Sequence, residues 1–280
     1  TPGFSAGVIL TLALGIGANA VMFGVVDHLL LSDPAHVADA DEVVRIHVRR
    51  LSPFSGESEA MESMTWTDYQ AYLGTGAFRS VAAFGDDPLV LGRGEDASRV
   101  NGLFVTGSFF PLLGVAPALG RFFDEAEAEP GAPGVVVLSH GLWQRRFGGD
   151  PAVLGRDLAL GEGTYTVIGV APPGVNGVHL DPVDLYLPIH AYTTQVGFDG
   201  WPSHPGYYWL RGVARLAPAT SREAAAEEAT AQLLNSRRDL IERGRFPADA
   251  RVELGSVKAA LGPDAPEEVR VTRWLVGVTV

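Results

Sequence analysis

No cysteine occurs in this chain, which excludes disulfides, thiolate metal sites and thiol nucleophiles together. Lysine is nearly as scarce. Lys258 is the only one, and it is not placed to complete a Gly-x-x-x-x-Gly-Lys-Ser/Thr loop, so the chain does not itself hold ATP in that way. Positive charge is in deficit too: 21 basic residues stand against 33 acidic ones, a formal net charge of −12. That balance repels phosphate backbones, and no nucleic-acid partner is expected. Thr1 is not a start methionine, so the sequence reads as a fragment, without the flank that a positive-inside test needs. What remains is 280 residues, 46% hydrophobic and 19% charged, ample for one or two globular units.

Charge is absent altogether from the opening stretch, Ser5 to Val26, whose one strongly polar side chain is Asn19. A helix of about 22 residues reaches roughly 33 Å, enough for a bilayer core of about 30 Å. Asp33-Pro34 stop any helix soon after. The segment shows no polar face and reads as a membrane span, 1–31. A buried helix and a secretory signal peptide ending at Ala18-Asn19-Ala20 are the other readings. Against the signal peptide stand the lack of a basic n-region and the apolar residues that continue past that site. Ala13, Gly17, Ala20 and Gly24 place small side chains at positions where another membrane helix could approach closely.

Beyond the span, strands are expected at 43–48, 80–84, 89–91, 99–105, 135–138, 157–160, 164–170, 184–189, 207–216 and 251–257. Gly92-Arg-Gly94 and Gly161-Glu-Gly163 look like hairpin connections. Thr65 is positioned to cap a helix with Trp66, Tyr69 and Leu73 on one face and Gly74 as its stop. Ser108 to Gly114 reads as a short helix, and Ser139 as the cap of another over His140–Phe147. Thr220-Ser-Arg-Glu223 is a capping box for a helix over 223–241, with Ala226, Ala229, Leu233 and Leu240 as its stripe. Arg273-Trp-Leu-Val-Gly-Val-Thr-Val280 opens a second membrane helix, or is a buried strand. Strands and helices mix without regular βαβ alternation, so the class is α+β.

Few residues suggest chemistry. Ser139 and His140 are neighbours, but a triad must meet through the fold, and Ser139 reads better as a plain cap. His179, Asp181, Asp184 and His190 match no helical or zinc-type spacing. Trp201, Tyr207, Tyr208 and Trp209 with His204 read as packing rather than a ligand platform. No catalytic, cofactor or metal residue is assigned, and the chain is not expected to be an enzyme.

Two stretches carry a family resemblance. Leu12-Ala-Leu-Gly-Ile-Gly-Ala-Asn-Ala20, with Val25-Val26 and Leu29-Leu-Leu31, resembles the first membrane helix of bacterial ABC-transporter permeases of the macrolide-exporter and FtsX type, most nearly the duplicated acidobacterial branch. The second stretch is Leu138-Ser-His-Gly-Leu-Trp-Gln-Arg-Arg-Phe-Gly-Gly-Asp-Pro151, with Leu154-Gly-Arg156 and Tyr165-Thr-Val-Ile-Gly-Val170. Between the two, Val105 to Phe109, Leu113-Gly-Val-Ala-Pro117 and Gly120-Arg-Phe-Phe123 match the periplasmic core domain of such proteins in order. The resemblance implies an N-terminal transmembrane helix followed by a two-lobed periplasmic core domain over 32–270. A porter-like lobe would occupy 43–105 and 206–258, and an inserted lobe 106–205, with a second span starting in 271–280. It implies an inner-membrane permease subunit driven by a separate cytoplasmic ABC ATPase, in contact with membrane lipid, and needing no cofactor. It allows a homodimer or pseudo-dimer of permease halves and a periplasmic adaptor. The alternative is a membrane-anchored envelope binding or scaffold module without transport.

Overall fold

The computed structural model describes residues 36–51, 56–175 and 182–257, together with Gly3, Gly7, 11–17 and Ala20 of the opening segment. Those opening residues are helical, and Leu12, Leu14 and Ile16 stand exposed. The rest of the expected first span, Gly24 included, and the expected second one at 271–280 lie outside the described residues. Among the described residues no helix is long and apolar enough to cross a membrane.

Eleven strands form one mixed sheet. They are β1 (Val43–Leu51), β2 (Ser58–Met61), β3 (Phe78–Leu91), β4 (Ser98–Val105), β5 (Leu119–Gly120) and β6 (Val135–Leu138), then β7 (Asp157–Leu160), β8 (Gly163–Val170), β9 (Leu185–Pro188), β10 (Arg211–Leu216) and β11 (Arg251–Ser256). The order is β11-β1-β10-β3-β4-β9-β6-β8-β5, with β2 beside β1 and β7 between β3 and β8. Pairings are antiparallel except β4 with β9 and β6 with β8. The five strands from β11 to β4 come from outside 106–205, and the four from β9 to β5 from within it. Six helices complete this α+β arrangement among the described residues: α1 (Trp66–Leu73), α2 (Phe109–Leu113), α3 (His140–Phe147), α4 (Ala191–Val196), α5 (Arg222–Ser236) and α6 (Arg238–Glu242).

The sheet is covered on both faces, and the period-2 alternation of strand side chains sorts its residues between two cores. Val44, Ile46, Val81, Ala83, Phe104, Val136, Leu138, Leu185 and Leu187 share one core with Tyr69 and Tyr72 of α1 and Ala225, Ala229 and Leu233 of α5. Their chain neighbours Val43, Ala82, Phe84, Leu103, Val105, Val135, Val137 and Tyr186 face the other, under Phe109, Phe110, Leu112 and Leu113 of α2. Both cores run across the boundary between β4 and β9.

Several local expectations hold. Thr65 caps α1 in a reciprocal box with Asp68. Gly114 ends α2 in the left-handed conformation, at φ 72°. The hairpins β3–β4 and β7–β8 form as expected.

Others shift. The two strands expected at 80–84 and 89–91 are one, because β4 pairs along the whole of Gly85–Pro88. Pro88 is tolerated there because β3 has already run past β10, whose pairing stops at Phe84, so a missing donor disrupts no second ladder. On α1 it is Tyr72 that is buried, while Leu73 stands 56% exposed. The cap of α5 is Ser221, whose Oγ accepts from the Ala224 amide at 3.1 Å, not Thr220. Its buried stripe runs through Ala225 rather than Ala226. The helix expected over 223–241 breaks at Arg237, whose side chain turns into the interior.

Candidate functional site

The described domain begins and ends at one place. Val44 lies opposite Ser256 across the β1–β11 ladder, and Val43 lies opposite Arg215 across β1–β10. Val43 and Val257 are buried in the same core. Arg215 is a charged residue inside the apolar strand Val213-Ala-Arg-Leu216, and it is 8% exposed. Its Nη2 donates to the Ala38 carbonyl at 2.6 Å and to the Leu112 carbonyl at 2.8 Å; its Nε adds a second bond to Leu112 at 3.1 Å, and its Nη1 meets the Glu42 carboxylate at 3.2 Å. The Leu112 carbonyl belongs to the last turn of α2, where carbonyls have no partner within the helix.

Away from this end, a cleft of about 280 Å3 opens between 127–134, the start of β8 and the N-terminal end of α4. Glu127, Glu129, Tyr165 and His190 line it. Two hydrogen bonds from Arg121, at 2.6 and 2.8 Å, hold the Glu127 carboxyl below its usual range, with burial opposing. Burial pushes the His190 imidazole below its usual value, the charge of Glu129 working the other way. The His190 ring packs on Trp66 and Trp201, at 4.9 and 5.3 Å between centroids. The imidazole is thus held against two indoles on one side of the cleft, which reads as a polar recess.

A second recess of about 220 Å3 lies against Asp86, Asp87, Asn101 and Arg211. Asp86 pairs with Arg211 there, and burial raises the Asp87 carboxyl, Arg99 opposing.

Of the residues singled out in the sequence, His190, Trp201 and Trp209 pack together, whereas Ser139, His140 and Asp184 form no shared site. Ser139 Oγ accepts from the Leu142 amide at 3.1 Å, an N-cap bond, while the His140 ring lies against Trp143. Replacing Ser139 with alanine is therefore expected to lower stability by about 1 kcal/mol and nothing else; thermal unfolding checks it. Asp184 accepts from Arg145 at 2.6 Å and from the Asn101 amide at 2.9 Å, far from a metal role, and His190 sits in the recess just described. His179 and Asp181 lie outside the described residues. Among the described residues no group of three His, Asp or Glu side chains could hold a metal ion. Gly92 and Gly94 adopt φ of 88° and 64° in the β3–β4 connection, a turn and not a phosphate loop.

Of the aromatic group, Trp201 is fully buried and Trp209 stacks on Tyr192 at 3.6 Å. Trp209 also fills the space above Gly85, where an added Cβ would come within 2.4 Å of its ring. Ala13, Gly17 and Ala20 are helical and exposed. Sequence reasoning missed the two buried arginines, Arg215 and Arg237. The legible signal was a charge at an apolar strand position and a charge four residues beyond Leu233 on the buried stripe of a helix.

The profile of the MacB-like periplasmic core domain matches residues 5–232. The chain belongs to that family. It therefore carries the MacB/FtsX-like periplasmic domain of an ABC permease, a transporter component. No curated protein matches at significant similarity. Solved structures share the fold at low identity. The extracellular domain of the ABC-type transporter YknZ from Gram-positive bacteria is 15% identical, with a TM-score of 0.54 over 76% of this chain and 98% of that one. The periplasmic region of MacB from Actinobacillus actinomycetemcomitans is 13% identical, with a TM-score of 0.56 over 88% and 97%. A permease protein domain from Porphyromonas gingivalis is 17% identical, with a TM-score of 0.56 over 79% and 92%.

Proposed function

We propose that this chain forms the part of an ABC-type permease subunit between two membrane helices, 1–31 and one opening at 271–280. In this reading its core domain lies in the periplasm of a bacterial inner membrane and couples ATP hydrolysis by a separate cytoplasmic ATPase to the handling of a periplasmic substrate or partner. One observation carries the reading: the first and last strands pair in register, Val44 opposite Ser256, so both ends of the domain leave side by side. A domain hung between two neighbouring helices at a bilayer needs that arrangement; a domain tethered at one end does not. The exposed apolar side chains of Leu12, Leu14 and Ile16 on the opening helix suit lipid.

The strand order fits a porter-like lobe drawn from 43–105 and 206–258 with 106–205 inserted into it, though one continuous sheet joins them. Ala13, Gly17, Ala20 and Gly24 would then form the face on which other permease helices pack. To test the function, the full-length protein is purified from membranes in detergent. A P-loop ATPase is expected to accompany it, with hydrolysis that changes on reconstitution with the permease. Purification without any ATPase would favour an envelope scaffold instead.

A further inference from the structure

The segment that brings the chain into the domain has an uncommon backbone. His36 and Asp39 take left-handed φ of 72° and 47°, a conformation infrequent outside glycine that His and Asp enter more readily than most residues. The contacts that hold the segment surround Ala38. Its amide donates to the Leu113 carbonyl at 2.9 Å, and its carbonyl accepts from Arg215 at 2.6 Å. Gly114 leaves room for it: a Cβ there would lie 2.7 Å from that of Ala38.

We propose that Arg215 is a positioning residue that latches the entering chain to β10 and to α2 at once, so that displacement of the segment before Ala38 moves the domain as one body. This deepens the coupling role proposed above and rests on it. A guanidinium suits the task because its planar fork serves several acceptors in fixed directions, as it does here with the Ala38 and Leu112 carbonyls and Glu42. Beyond the latch the path is solid. Leu112 and Leu113 are buried among Phe84, Leu103, Val137 and Tyr186, and that core draws strands from both sides of the β4–β9 junction. The exposed bond from Arg222 to the Asp41 carbonyl, at 3.1 Å, is a further hold on this segment and does not reach α2.

The test uses the full-length permease with its ATPase and the variant Arg215→Lys, which keeps the charge and loses the fork. Hydrogen exchange at the Ala38 amide is expected to quicken about tenfold or more while exchange across β4 stays as it was. Periplasmic output per ATP hydrolysed is expected to fall severalfold with hydrolysis retained. Unchanged exchange at Ala38, or an unchanged output per ATP, overturns the latch. Should Arg215→Lys fail to fold, Glu42→Gln decides, since Glu42 is half exposed and its loss removes only the ion pair. A smaller but measurable quickening at Ala38 supports the latch, and none overturns it. If the wild-type protein shows no ATP-dependent output at all, the coupling role falls, and the exchange measurement still judges Arg215 separately.

Discussion

Replacing Arg237 with alanine is expected to cost the domain about 3–5 kcal/mol, enough to unfold a marginal one. Arg237 sits at the break between α5 and α6, and its side chain is 1% exposed. Nε and Nη2 grip both oxygens of Asp68 at 2.7 and 2.6 Å, Nη2 also reaches Thr65 Oγ at 2.6 Å, and Nη1 reaches the Pro205 carbonyl at 2.8 Å. Burial works against the charge, and the hydrogen bonds and charge of Asp68 outweigh it, so the guanidinium is held above its usual pKa. The pair joins the cap of α1 to the end of α5, elements about 170 residues apart in sequence.

Truncation leaves the Asp68 carboxylate, 2% exposed, without its counter-charge. That stranded charge, rather than the lost attraction, supplies most of the cost. Arg237→Met combined with Asp68→Leu should accordingly cost clearly less than the two single changes added together. Denaturant unfolding followed by circular dichroism measures all three. A loss under about 1 kcal/mol for Arg237→Ala would mean that water reaches the pair and that the clamp is not structural.

The second large effect is expected at Trp201, where alanine should cost about 3–5 kcal/mol. The indole is fully buried. Its Nε1 donates to Thr193 Oγ at 2.8 Å, and its ring meets Trp66, Trp209 and Tyr192 edge-on at 5.8, 5.2 and 6.0 Å. Such edge-to-face contacts add to the area buried, and the cavity left behind can close only if α1, α4 and the 207–210 segment all shift. Trp201→Phe should cost less, since most of the ring volume stays. Unfolding curves distinguish the two variants. Unchanged stability in Trp201→Ala would mean that the aromatic group is not packing and would restore the ligand-platform reading.

Much of the local structure was legible because its causes are local. Thr65 with Asp68, Ser139 with the Leu142 amide, and the glycine at the end of α2 each act within four residues. The β3–β4 and β7–β8 hairpins follow from turn residues set between apolar runs. Val135-Val-Val-Leu138 reads as a strand buried on both faces, and it is one. Where neighbours compete, the sequence pointed one residue astray: Ser221 over Thr220, Ala225 over Ala226, Tyr72 over Leu73. There the deciding factor is which side chain meets the sheet.

The candidate site was less legible. An arginine in Val213-Ala-Arg-Leu216 announces a buried charge without naming its acceptors, and these lie near residues 38, 42 and 112, far off in sequence. The amino-acid order by itself determined the α+β class, the caps and hairpins, the absence of thiol and P-loop chemistry, and the family, whose motifs are carried by short contiguous stretches. Only the tertiary structure decided that β3 is a single strand, that the parallel pairs β4–β9 and β6–β8 knit one sheet, and that the domain begins and ends side by side beneath Arg215. The reason is physical: hydrogen bonds and packing between segments a hundred or more residues apart depend on chain closure and on shared burial, which no local propensity encodes.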